Sequence, residues 1–240
     1  MTNPKKPKSS LNALWGIIRL YLVIAVPVLL VIASVRVVMT RQFLNFEYNR
    51  AGFPQDNYGF STQDRMQYGQ HGILYLLNDA DIDYLADRNL PGALCYPPDE
   101  TDCSMFNADE LSHMEDVKVV TLGAFLVGQY GTIVAITCTL LLWKYVSIAA
   151  LRSSLLQGSL LTLGLIATII LLAITAWDLF FATFHSFFFA EGTWRFFYSD
   201  TLIRLYPEQF WFDAALVVGG LTTLGAIIIL VATLGWRNRT

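Results

Sequence analysis

Charge is scarce in this sequence. Only 15% of its 240 residues are Asp, Glu, Lys or Arg, while 55% are hydrophobic. A soluble domain of this size carries about 25% charge. Histidine and cysteine are scarcer still, at three each. Whole chemistries are missing with them. No C-x-x-C, H-x-x-x-H or H-E-x-x-H spacing offers a zinc site. There is no G-x-S-x-G nucleophile elbow and no phosphate-cradling glycine loop. No extended basic patch faces a nucleic acid. The expectation is a protein with no metal, no cofactor and no nucleic-acid partner.

What the chain has instead is apolar length. Four runs, at 12–39, 119–143, 158–180 and 212–235, each exceed the ~20 residues that cross a bilayer at ~1.5 Å rise per residue. The first follows Lys5, Lys6 and Lys8. It is too long for the usual signal-peptide core and lacks a small-residue cleavage site, so it reads as an uncleaved span. Pro27 stands within it. The fold class expected is an all-α polytopic membrane protein with four transmembrane helices.

The few charges are sorted by segment. Tail 1–11, link 144–157 and tail 236–240 carry Lys5, Lys6, Lys8, Lys144, Arg152, Arg237 and Arg239, and no acid. Residues 41–117 carry fourteen acids and four arginines. The positive-inside rule puts both termini and the 144–157 link in the cytoplasm. Segments 40–118 and 181–211 then lie outside. No charge sits mid-span, which argues against an ion pathway.

The outer segment 40–118 is too long for a passive connection and too rich in Phe, Tyr, Leu and Ile to be disordered. It is expected to form a helical cap. Ser61 with Asp64, and Asn107 with Glu110, read as helix starts. From about 108 one helix should run without a breaker into the second span. Cys95 and Cys103 flank YPPDETD and can form a disulfide in that oxidising compartment; Cys138 reads as a small apolar filler. The stretch EGTWRFFYSDTLIRLYPEQFW, with Gly192 and Pro207, reads as a re-entrant or interfacial segment between spans three and four. Within it Asp200 and Arg204, four residues apart, can pair.

All three histidines fall outside, and His is the side chain most able to exchange protons near neutral pH. His71 reads as a cap-packing residue. His113 stands about six residues before the second span, roughly 9 Å by helical rise, at interfacial depth. Asp116, three residues on, shares its face and can orient it. His185 stands in FATFHSFFFAEGTWRFF, beyond the third span, with Asp178 two turns back. Two helices can thus each carry a histidine to one leaflet boundary.

Two blocks around these histidines resemble the lipoprotein intramolecular transacylase (Lit) family, within a wider set of bacterial four-span integral membrane proteins. One is HMEDVK, through His113, Asp116, Val117 and Lys118. The other is FHSFFF, GTWRFF and DTLIRLYPEQFW, through Phe184, His185, Trp194, Phe196, Asp200, Ile203, Pro207, Glu208 and Phe210. The resemblance covers most of 40–212. It implies an enzyme of the bacterial cytoplasmic membrane, working at the outer leaflet on a diacylated lipoprotein N-terminus among membrane lipid. The sn-2 acyl chain moves from glycerol oxygen to the N-terminal Cys amine, giving the lyso form, with no cofactor. His113 and His185 would be catalytic. Asp116, Lys118, Asp178, Trp194, Asp200 and Arg204 would support them or bind substrate, with Arg204, Lys118 or backbone N–H groups at the oxyanion. Two other readings fit the same residues. One is a non-catalytic scaffold or lipid-binding accessory protein; the other is a metal-dependent lipid-modifying hydrolase. Acid–base chemistry requires both imidazoles to reach one substrate, so their separation discriminates.

Overall fold

The structure, a computed structural model, describes residues 8–97 and 103–235. The outermost parts of the expected tails, and residues 98–102 of the cysteine loop, lie outside the described residues. In chain order the elements are α1 (Lys8–Val38), α2 (Arg41–Tyr48), α3 (Thr62–Leu77), α4 (Asp83–Ala86), a 3-10 turn (Gly92–Leu94), α5 (Ala108–Tyr145), α6 (Ile148–Thr175), α7 (Trp177–Phe188), α8 (Thr201–Leu205) and α9 (Glu208–Gly235). Among the described residues the only strand-like pairing is one bridge between Asn89 and Ser104. Four helices are long and apolar enough to cross a membrane: Leu11–Val38, Ala108–Tyr145, Ile148–Thr175 and Glu208–Gly235. The protein is an all-α membrane protein.

Local chemistry starts these helices where the sequence suggests. Asn107 Oδ1 accepts the Glu110 N–H at 2.9 Å, and Glu110 Oε2 accepts the Asn107 N–H at 2.8 Å. This reciprocal cap satisfies two donors that a helix N-terminus leaves open. Ser61 and Asp64 build the same box at α3. One boundary differs from expectation. The third long helix begins at Ile148, inside the expected link, and ends at Thr175 rather than near 180. Ala176, at φ −150° and ψ 58°, leaves helical geometry. His185 therefore rides on a separate short helix, α7, instead of on the span itself.

The chain forms two compact bodies. Among the described residues the first comprises 8–34, 126–170 and 218–235. Small residues let its helices approach. A Cβ on Gly158 would meet Val26 at 2.9 Å, and one on Gly225 would meet Leu30 at 2.7 Å. Between membrane helices packing replaces the hydrophobic effect as the driving force, so such close contact matters. Polar groups inside are paired: Thr222 Oγ1 donates to Ser34 Oγ at 3.0 Å, and Tyr21 donates to the Gly131 carbonyl at 2.7 Å.

The second body comprises residues 35–125 and 171–217. Its core is Leu44, Tyr75, Leu85, Met105 and Leu205, all buried. The α3 face that meets Tyr206 is made of glycine, because a Cβ on Gly72 would come within 2.5 Å of the Tyr206 hydroxyl. That hydroxyl donates to the Gly69 carbonyl, and Tyr48 donates to the Leu205 carbonyl at 2.6 Å. Cys95 and Cys103 are joined by a disulfide, and the Leu90 N–H donates to the Cys103 carbonyl at 2.8 Å.

Arg204 does not pair with Asp200. Its guanidinium lies over Phe60 at 3.7 Å and donates to the carbonyls of Leu94 (3.2 Å) and Tyr58 (3.0 Å) and to Asp56 Oδ2 (3.4 Å). Asp200 instead accepts the Phe197 N–H at 2.8 Å. An i, i+4 pair requires both side chains to face solvent together, and Arg204, only 2% exposed, points into the core.

Candidate active site

Two helices of the second body bring His113 and His185 together. His113 sits in the second turn of α5 and is 7% exposed. His185 sits on α7 and is half-buried. Their ring centroids are 6.3 Å apart, with planes 25° from parallel. The α7 helix ends within one turn of His185, at Phe188: Phe189, its C-cap, donates its N–H to the His185 carbonyl. Gly192, at φ +87°, then turns the chain back, a conformation glycine adopts without strain. This turn brings Trp194 and Phe196 to the pair.

The rings form an aromatic shell. Phe189 touches both imidazoles, at 4.9 Å from His113 and 5.8 Å from His185. Phe196 lies 5.4 Å from His113. Around His185 stand Phe181 (4.0 Å), Trp194 (4.8 Å) and Phe184 (5.5 Å). Arg195 lies over the Trp194 ring at 5.0 Å.

The two imidazoles differ in tautomer control. His185 Nδ1 lies 2.8 Å from the Phe181 carbonyl oxygen. A carbonyl only accepts, so Nδ1 carries the hydrogen and Nε2 carries the lone pair in the neutral ring. His113 Nδ1 is buried with no partner, and so is Trp194 Nε1. Burial, with the neighbouring charge of His185, lowers the His113 pKa to about 4, against an opposing pull from Asp116. Burial also lowers that of His185, the Phe181 carbonyl opposing. Both rings are therefore neutral at pH 7.

Not every residue expected at the site is there. Asp116 is exposed and makes no hydrogen bond to His113; it acts through charge alone and fixes no tautomer. Asp178 is exposed in the first turn of α7, with no bond to His185. Lys118, 9% exposed, points away from the pair. Its ammonium donates to the Ala80 carbonyl and to Asn78 Oδ1 (3.3 Å), and lies over the Tyr75 ring at 4.1 Å. Arg204 is equally engaged elsewhere. His71 lies against Tyr84 and borders, with Arg88, an open cavity of about 210 Å³.

One contributor was visible in the sequence only as a helix cap. Glu110, one turn before His113 and 1% exposed, accepts the Leu202 N–H at 2.6 Å through its second oxygen. It thereby ties α5 to α8, just beyond the strand of chain that carries Trp194 and Phe196. Among the described residues no group of three metal-binding side chains converges.

The fold is similar to solved structures. A structure of the membrane-integral lipoprotein intramolecular transacylase Lit from Bacillus cereus aligns with TM-score 0.75 and 19% identity, covering 95% of this chain and all of that one. A structure of the same protein with a histidine replaced by arginine aligns at TM-score 0.70 and 20% identity, covering 95% of this chain and 94% of that one. At such identities the likeness establishes the fold. An uncharacterised protein of Aquifex aeolicus (strain VF5) is 30% identical over 222 residues, which are 89% of this chain and 92% of that protein. The profile of the lipoprotein intramolecular transacylase Lit family matches residues 20–211, and the chain belongs to that family.

Proposed function

We propose that this protein is an intramolecular O-to-N acyltransferase of the bacterial cytoplasmic membrane, with both termini cytoplasmic and the reaction at the outer leaflet interface. Its substrate is a lipoprotein whose N-terminal Cys carries a diacylglyceryl group. The observation that carries this reading is the 6.3 Å separation of the His113 and His185 rings inside one aromatic shell. A scaffold has no need to bury two facing imidazoles, and family membership supplies the reaction class.

The chemistry follows from the two environments. The substrate α-ammonium has a pKa of roughly 7.7–8. Its proton passes to His185, whose Nε2 lone pair is presented because Nδ1–H is held by the Phe181 carbonyl. The free amine adds to the sn-2 ester carbonyl. A new N–C bond forms and the carbonyl electron pair moves to oxygen. On collapse the C–O bond to glycerol breaks, and the second proton of the added nitrogen passes by way of His113 to the departing oxygen, leaving an amide and a glycerol hydroxyl. His113, held by burial at a pKa of about 4, is a weak base and, once protonated, a strong donor. It suits the proton delivered to the departing oxygen. Direct transfer closes a ring through N, Cα, Cβ, S, two glycerol carbons, oxygen and the carbonyl carbon, which calls for a held geometry. The phenylalanine shell holds the acyl chain and excludes water, so the acyl group reaches the amine and is not hydrolysed.

The test is direct. His113→Ala and His185→Ala variants are produced in a host lacking the activity, and lipoprotein N-termini are read by mass spectrometry. Loss of the lyso form in both is expected. Lyso-form yield equal to wild type in both variants rules the pair out.

A further inference from the structure

Addition of the amine leaves a full negative charge on the former carbonyl oxygen. In a water-poor site that charge needs a donor already in place. Two cationic side chains that the sequence offers for that oxygen, Lys118 and Arg204, are not free to supply it. The Lys118 ammonium is held by the Ala80 carbonyl, Asn78 and the Tyr75 ring. The Arg204 guanidinium is held by Asp56, Leu94 and Tyr58.

One donor in the aromatic shell has no acceptor. Trp194 Nε1 is buried with no hydrogen-bond partner. A buried indole N–H normally finds a partner, since leaving one unpaired forfeits its hydration with nothing in return. Its ring lies 4.8 Å from that of His185 and only 30° from parallel to it. The two rings are thus close enough to meet one small substrate group. The Arg195 guanidinium lies over the same ring at 5.0 Å, within cation–π range, and so holds the indole in place.

We propose that the Trp194 indole N–H is the oxyanion donor of the reaction: it binds the sn-2 ester carbonyl and stabilises the charge on that oxygen as the amine adds. This rests on the transacylase reading above and deepens it. The unpaired donor is satisfied by substrate, and most strongly in the tetrahedral state, so the interaction favours the transition state over the ground state. Trp194 is then a catalytic residue, and Arg195 a positioning one.

The experiment uses the full chain in lipid nanodiscs with a synthetic diacylated lipopeptide. Trp194→Phe keeps an aromatic ring at the position and removes the N–H together with the second ring of the indole. Its kcat is expected to fall about 10²–10³-fold, the usual effect of losing one oxyanion donor, with KM little changed. A kcat equal to wild type overturns the proposal, as does a loss confined to KM. Wild-type protein that yields no lyso-form product overturns the underlying reading instead, so the two failures are distinct. A second measurement covers a Phe variant that does not fold. 5-Fluorotryptophan installed at position 194 retains the N–H, and a phosphonate analogue of the sn-2 ester supplies the tetrahedral anion. A fluorine resonance that shifts and saturates with phosphonate is expected. A resonance that stays in place while phosphonate is bound overturns the assignment.

Discussion

The Glu110 carboxylate accepts the backbone N–H of Leu202 at 2.6 Å, across 92 residues of chain. The same side chain closes the Asn107 cap of α5. One carboxylate thereby fixes the first turn of the helix that carries His113 and, through α8, the segment that carries Trp194 and Phe196. Backbone donors gathered on a buried acid thus help to position the site alongside the contacts among its aromatic rings.

Glu110→Gln should therefore cost more than its isosteric shape suggests. Each carboxylate oxygen now faces an N–H, and an amide must turn its own NH₂ toward one of them. Leaving such a buried donor unpaired costs about 1–3 kcal/mol. A lowered melting temperature in detergent is expected, together with reduced lyso-form yield. An unchanged melting curve would show that the Leu202 contact contributes nothing.

Buried acids and buried histidines give stability opposing dependences on pH. Burial raises Glu110 to about 7 from the ordinary 4.5. Burial, aided by a hydrogen bond with Asp213 and opposed by Arg50, does the same for Glu47. A raised acid contributes stability that is full below its unfolded pKa, about 4.5, and is lost as pH rises through about 7. His113 runs the other way: lowered to about 4 from 6.5, it contributes stability above about 6.5 that is lost as pH falls through about 4. His185 and His71, both lowered by burial, act in the same sense as His113, so acids and histidines oppose one another between about pH 4.5 and 7. Glu47→Gln removes one acid's share, so the change in melting temperature from about pH 4.5 to 7 should be more positive in the variant than in wild type. An identical change in the two proteins contradicts it.

The four long helices, the short helices between the first two and the meeting of His113 with His185 were legible because each depends on local pattern: apolar run length, helix-start residues, and helical rise from a boundary. The caps at Asn107 and Ser61 were legible for the same reason. The fate of Arg204 was not. Its acceptors, Asp56, Tyr58 and Leu94, lie more than a hundred residues away in chain, and no spacing rule finds them. Asp200, four residues off, was the natural guess and the wrong one. The break at Ala176 was equally hidden, since neither proline nor glycine marks it. There tertiary packing overrides local propensity.

The pH–rate profile should report the substrate more than the enzyme. Burial keeps His113 neutral down to about pH 4, and His185 is lowered too. The group still protonated at pH 7 is the lipopeptide amine, near 7.7–8. Activity should climb through that range and not follow a histidine titration near 6.5. An N-terminal Cys analogue with a less basic amine should move the rising limb to lower pH. A limb that stays in place with that analogue would assign it to an enzyme group.

Lys118 separates support from chemistry. Its ammonium fastens the turn after α3 through the Ala80 carbonyl and Asn78, and lies over Tyr75. Lys118→Met keeps the length of the stem and its contact with the ring but removes the donors to the half-buried Ala80 carbonyl and to Asn78. A loss of about 1–3 kcal/mol is expected, read as a lower melting temperature. The kcat of the protein that remains folded should match wild type, since nothing at the His113–His185 pair is touched. A collapse of kcat with an unchanged melting temperature would return Lys118 to the reacting oxygen, and would take that role from Trp194.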